Sequence, residues 1–237
     1  MAKTQLLRNI LTFFIVVISG SANGQHVSAI INDSDGYTNI RKDSTIKSEI
    51  VEKFIDGEVF EYNGDDWYEQ KNWIYVGIDR TNNKDKCKYL STYGTGGYMH
   101  RSRILPMDKM PDKFERTVTD ASVELTAKNI NAKIEIRHLT QEEIGVLSED
   151  GCIWGTDMGN PRNVISNVQL TLNGTTIQVP AGEYEDLYRA TLNKSYIKTH
   201  KNFTFLIMSN SDAAGFYEVI WIFEDGKYQR RYINTGP

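Results

Sequence analysis

Asx-Gly dipeptides punctuate this chain and constrain its fold more than any other feature. Asp35-Gly36, Asp56-Gly57, Asn63-Gly64, Asn173-Gly174 and Asp225-Gly226 each sit between short runs of apolar or alternating residues. Such pairs suit tight turns, because Gly adopts positive φ without steric cost and Asn or Asp tolerates the left-handed region. A chain turned this often reads as short antiparallel strands. Its 13 Tyr and 4 Trp agree, since aromatic side chains favour half-buried pleated surfaces.

Ahead of the first turn, Lys3 and Arg8 flank an apolar stretch at 10–18, followed by Ser19, Gly20, Ser21 and Ala22. This order of charged, apolar and small residues is that of a secretory signal peptide. The apolar stretch, broken at Thr12, falls short of the roughly 20 residues that cross a bilayer as a helix. Cleavage before Gln25 is therefore expected, giving an exported protein, periplasmic or extracellular, with no stable membrane insertion. An uncleaved anchor or a buried apolar helix is the competing reading of the same residues. Losing Lys3 and Arg8 moves the formal charge from −4 to −6. That acidity, with scattered basic residues, argues against a nucleic-acid partner. No CxxC pair or His/Cys cluster is present, so no metal or other cofactor is expected. Cys87 and Cys152 fall in different halves, and either a disulfide between them or two separate thiols fits the sequence. Oligomeric state is left open.

The organisation is mainly β. Short strands are expected at 26–32, 37–41, 50–54, 58–62, 67–70, 73–78 and 97–100, brief enough and turned tightly enough for a small barrel. A stretch with two prolines and alternating charge, 105–116, reads as a linker. These features divide the chain into a signal segment 1–24, a barrel 25–104, the linker 105–116 and a second domain 117–237. In that domain, strands are expected at 122–128, 133–138, 164–172, 175–179, 196–199, 203–208, 216–223 and 228–233. Pro180 opens the single main helix, expected at 181–192, with Glu183, Glu185 and Asp186 in its first turns and Tyr184, Leu187, Tyr188 and Leu192 on one face. The second half thus reads as α+β, dominated by antiparallel sheet.

Three spaced elements carry a family likeness. Asp35-Gly36-Tyr37-Thr38-Asn39-Ile40-Arg41 is a turn leading into a strand, and Ile50, Val51 and Phe54 with Asp56-Gly57-Glu58-Val59-Phe60 follow it. Gly97-Tyr98-Met99-His100-Arg101-Ser102-Arg103-Ile104 closes the series. In this order they resemble a bacterial SH3-like (Src homology 3) domain covering about 28–104. Lys42-Asp43 replaces the family's usual Gly-Pro, and the stretch from Trp73 to Tyr93 is longer than usual. The resemblance implies an SH3-like small β-barrel in an exported protein, binding a peptide, cell-wall or protein ligand. The surface it implies draws on Tyr37, Asn39, Arg41, Trp67, Tyr68, Tyr98 and His100. Aromatic rings there supply flat contact area, and Asn and Arg hold carbonyls or carboxylates. The same aromatics equally suit a barrel core, and Asn39 and Arg41 equally suit bracing of a loop.

The second half offers less chemistry. Its Asp212-Ala213-Ala214-Gly215-Phe216-Tyr217 run resembles endings of uncharacterised exported bacterial proteins, which implies no activity. Asp157 and Asp212 sit among turn formers, where Asp is common for structural reasons. Cys152 with His138 is a conceivable hydrolase pair, although Cys152 heads no helix that would activate it. The leading expectation is a non-enzymatic exported binding protein. Two others stand beside it: a cell-wall hydrolase with its site in the second domain, and an immunity or inhibitor protein whose acidity suits a basic partner.

Overall fold

The computed structural model describes residues 26–78, 96–111, 113–147, 153–155, 160–210 and 215–235. The expected signal segment, the cleavage point at Gln25, Cys87, Cys152, Asp157 and Asp212 lie outside these residues. The chain is mainly β and forms three antiparallel sheets. Among the described residues no helix is long and apolar enough to cross a membrane.

The first sheet contains β1 (His26–Ile31), β2 (Tyr37–Arg41), β3 (Ile50–Ile55), β4 (Val59–Asn63), β5 (Trp73–Gly77), β6 (Gly96–His100) and β7 (Ile104–Pro106). Their spatial order is β3-β2-β6-β5-β4-β1-β7. Three strands therefore separate β3 from β4, a gap of about 19 Å in a flat sheet at ~4.8 Å per strand. Yet Phe54 of β3 and Phe60 of β4 stack with ring centroids 4.9 Å apart. The sheet curls back on itself, and one core formed by Ala29, Ile40, Phe54, Phe60, Ile74, Met99 and Ile104 draws on all seven strands.

The second sheet contains β8 (Glu115–Val118), β9 (Ser122–Ala127), β10 (Ile130–His138), β11 (Asn163–Leu172) and β12 (Thr175–Gln178), in the order β12-β11-β10-β9-β8. The third is a meander of β13 (Ser195–His200), β14 (Phe203–Ser209), β15 (Glu218–Glu224) and β16 (Lys227–Asn234). Both faces of this third sheet are covered, which explains why β14 and β15 read as unbroken apolar runs rather than as alternation. Leu206, Met208, Val219, Trp221 and Phe223 meet Val123, Leu125, Ile134 and Val168 of the second sheet. Their neighbours Phe205, Ile207, Ile220 and Ile222 meet Ile30, Val59, Met107 and Met110 of the first half. The two halves therefore share a core. Polar ties reinforce it: Lys201 Nζ lies 2.6 Å from Asp56 Oδ2, Ser28 Oγ donates to Glu218 at 2.9 Å, and Lys198 Nζ donates to the Met110 carbonyl at 2.8 Å.

Several local expectations need correction. The helix expected at 181–192 does not form. Ala181–Glu183 makes one 3₁₀ turn, Arg189 takes φ 53°, and Leu192–Lys194 makes another short 3₁₀ turn. The backbone between is claimed by tertiary partners: Leu187 bridges to Trp154 and Tyr188 to Val164. Tyr184, Leu187, Tyr188 and Leu192 are buried as their spacing implies, but in irregular chain. The described helices are instead α1 (Gly64–Tyr68) and α2 (Gln141–Leu147). Helix α1 replaces the strand expected at 67–70, because the Asn63 side chain accepts from the N–H groups of Asp65 and Asp66 and caps the turn. Helix α2 starts from a capping box: Thr140 Oγ1 accepts from Glu143 N, while Glu143 Oε2 accepts from Thr140 N. The linker at 105–116 is not a free tether either. It supplies most of β7, a 3₁₀ turn at Met107–Lys109, the buried Met107 and Met110, and the start of β8.

Candidate functional site

Period-two alternation sorts three neighbouring strands of the first sheet. Ile40 of β2, Met99 of β6, and Ile74 and Val76 of β5 point into the curled core. Their neighbours Asn39, Arg41, Tyr98, His100, Trp73 and Tyr75 consequently point outward. Strand pairing sets these outward side chains in two rows. Tyr98 pairs with Arg41 on one side and Tyr75 on the other, and His100 pairs with Trp73. The rings meet edge to face, Tyr75–Tyr98 at 5.5 Å and 79°, and Trp73–His100 at 5.5 Å and 86°. This is a favoured aromatic geometry and fixes the rings against one another.

Glycine makes room for one of them. A Cβ at Gly96 would lie 2.5 Å from the Tyr75 hydroxyl oxygen and 2.6 Å from Cζ, so the Tyr75 ring lies across the bare backbone. Beyond Arg41 the surface continues onto β3. Asn39 pairs with Lys53, and Lys53 Nζ sits 3.5 Å from the centre of the exposed Tyr37 ring. Arg41 Nη1 donates to the Ser48 carbonyl at 2.7 Å, which braces the loop between β2 and β3 while keeping the cation beside Tyr98. His100 Nδ1 engages the Ser102 hydroxyl at 2.8 Å and caps the following 3₁₀ turn. Where β2 begins, Asp33 is clamped. Burial pushes its carboxyl up, but the Asp35 N–H, the Thr38 hydroxyl and the Arg103 guanidinium outweigh that and hold it below its ordinary value. The Arg103–Asp33 contact is 2.6 Å.

The structure thus brings together Tyr37, Asn39, Arg41, Tyr98 and His100 of the residues singled out in the sequence. It sets Trp67 and Tyr68 apart from them on α1. Trp67 packs against the curled core, 5.5 Å from the Tyr62 ring, with the Arg101 guanidinium 3.8 Å above it. Arg101 also donates to the Trp67 carbonyl at 2.6 Å. Trp67 is therefore a plug of the core, whereas Tyr68 stands 68% exposed beside it. Two members of the outward surface, Trp73 and Tyr75, were missed. The signal was present: Trp73-Ile74-Tyr75-Val76 alternates aromatic with aliphatic, and a strand with one dry face and one wet face sends the aliphatic set inward.

The side chains of this surface are aromatic rings, a guanidinium, an ammonium, an imidazole and a carboxamide, on rigid strands about 4.8 Å apart. Among the described residues no three of His, Cys, Asp and Glu converge in a metal-holding group. Comparison with protein-family models, with curated proteins and with solved structures returns no match.

Proposed function

We propose that the chain is an exported, non-enzymatic binding protein whose first half is an SH3-like barrel. It uses the outward rows Arg41–Tyr98–Tyr75 and His100–Trp73 to hold a peptide or cell-wall chain. The observation that carries this reading is the segregation of the outer face. Aliphatic residues of β1, β4 and β7 cover the part that packs on the third sheet, while β2, β6 and β5 turn ring systems and the Arg41 guanidinium toward solvent. Aromatic rings locked edge to face lose little entropy when a ligand lies across them. Arg41, already braced by Ser48, stands ready for a carbonyl or carboxylate.

The test is sedimentation of the protein with isolated cell wall and with envelope fractions, beside thermal melts. Tyr98→Ala and Trp73→Ala are each expected to weaken binding by about 1–3 kcal/mol, the range of interface anchors. Melting should change little. Unaltered binding by both variants would place the functional surface elsewhere.

A further inference from the structure

Four two-residue hairpin turns meet at one end of the sandwich formed by the second and third sheets. They are Lys128-Asn129, Asn173-Gly174, Lys201-Asn202 and Asp225-Gly226, each joining consecutive strands. Backbone bonds tie them in pairs: Asn173 N donates to the Asn129 carbonyl at 3.0 Å, and Asp225 N to the Asn202 carbonyl at 3.1 Å. Between the pairs opens a cleft of about 420 Å³. That volume falls within the ~300–1,000 Å³ of ordinary small-molecule sites.

The cleft has a consistent chemistry. Thr199 and Thr204 pair directly across β13 and β14, so their hydroxyls stand side by side on the face turned toward the second sheet. Thr204 is only 5% exposed, and it lines the cleft beside Thr199. On the rim, two carboxamides are oriented by their neighbours. Asn129 Nδ2 donates to Asn173 Oδ1, which leaves Asn173 Nδ2 as a donor. Asn202 Nδ2 donates to Glu224 at 3.3 Å and Asp225 at 3.1 Å, which leaves Asn202 Oδ1 as an acceptor. Ile130 and Leu172 supply an apolar wall. The nearby cation is already neutralised, since Lys201 Nζ lies 2.6 Å from Asp56.

One held donor, one held acceptor, two hydroxyls and an aliphatic wall match a molecule with adjacent hydroxyls on one side and C–H groups on the other. We propose that this cleft is a second binding site, distinct from the aromatic face, for a neutral sugar ring. It is independent of the reading given above for the first half.

The experiment titrates the full chain, ¹⁵N-labelled, with methyl glucoside, methyl galactoside and N-acetylglucosamine at millimolar concentration. At least one of them should shift amide resonances of the four turns and of β13–β14 saturably. Thr204→Val, which keeps the shape and removes the hydroxyl, should weaken that binding ~10-fold, as expected for a lost buried hydrogen bond. Asn173→Gly, on an exposed turn at φ 51°, keeps that backbone conformation, removes the carboxamide and should also weaken binding, so the test survives if Thr204→Val fails to fold. Because the readout is residue by residue, shifts of the four turns and of β13–β14 report this site separately from any shifts of β5 and β6 on the aromatic face. The proposal fails if none of the three sugars shifts the turns, or if the folded variants bind like the unaltered chain.

Discussion

Gly57→Ala should damage the protein well beyond what a turn substitution ordinarily does. Gly57 follows Asp56 in the turn between β3 and β4, which Glu58 N closes onto the Ile55 carbonyl at 3.1 Å. Its φ of +77° is the positive value that a type II turn requires at that position. An alanine held there costs about 1–2 kcal/mol from the clash of its own Cβ with the backbone. Its Cβ would also fall 2.1, 2.4 and 2.7 Å from three ring atoms of Phe203, a residue of the third sheet. Phe203 is buried and stacks on Phe205 at 6.2 Å, so the ring has little freedom to retreat. Overpacking of this kind costs about 1–3 kcal/mol, which brings the total to about 2–5 kcal/mol. Urea unfolding followed by both far-ultraviolet dichroism and fluorescence measures it. Phe203→Ala alone should cost about 3–5 kcal/mol. In the double variant the collision disappears, so its loss should be smaller than the sum of the singles by about 1–3 kcal/mol. Additive losses would mean that the turn and the ring do not meet, and would refute the shared core at that point.

Other outcomes follow from the same contacts. A fragment spanning 26–110 should bind hydrophobic dyes and aggregate instead of melting cooperatively, because Ile30, Val59, Met107 and Met110 lose their cover from the third sheet; a sharp urea transition would contradict this. Asp186→Asn should destabilise the folded state by about 3–5 kcal/mol, toward the lower end because Glu183 remains 3.9 Å from the fully buried Arg231; denaturant midpoints decide it. Burial, then the Lys201 charge, lowers the His200 pKa against an opposing pull from Asp56. The unfolded chain therefore takes up that proton first, and stability should fall as pH drops below 6.5, levelling off below the folded value. His200→Gln should flatten that slope when midpoints are measured across the acid range.

What could be read from the residues, and what could not, follows from how local each cause is. Turn chemistry is local. Gly36, Gly57, Gly174 and Gly226 all adopt positive φ in the structure, at the Asx-Gly pairs noted in the sequence. Asn63-Gly64 misled because Asn serves a helix cap as readily as a turn, and Asp65 and Asp66 immediately after it favoured the cap. The spacing of Tyr184, Leu187, Tyr188 and Leu192 reported burial correctly and backbone shape wrongly. After a local first turn, the Leu187 carbonyl and the N–H groups of Tyr188 and Arg189 bond to Ile165, Trp154 and Asn163, partners that no local pattern announces. Of the candidate surface, alternation in β2 and β6 was legible, but its union with β5 depends on a strand order of β2-β6-β5 that skips along the chain.

The shared core also explains where the proposed binding surface lies. A curled sheet has one outer face, and strands β1, β4 and β7 give theirs to the third sheet through Ile30, Val59 and Leu105. Strand β1 accordingly reads Ala29-Ile30-Ile31, buried on both sides, whereas β5 alternates aliphatic with aromatic. Aromatic rings are suited to the second situation, since they tolerate water on one face while packing on the other. The two parts of that outer face belong to different strands and should act independently. Ile30→Ala should cost about 2–5 kcal/mol of stability and leave ligand affinity of the folded protein unchanged. Trp73→Ala should do the reverse. If Ile30→Ala lowered affinity as much as Trp73→Ala did, the ligand would have to reach the junction of the two halves, and the aromatic rows would be only its edge.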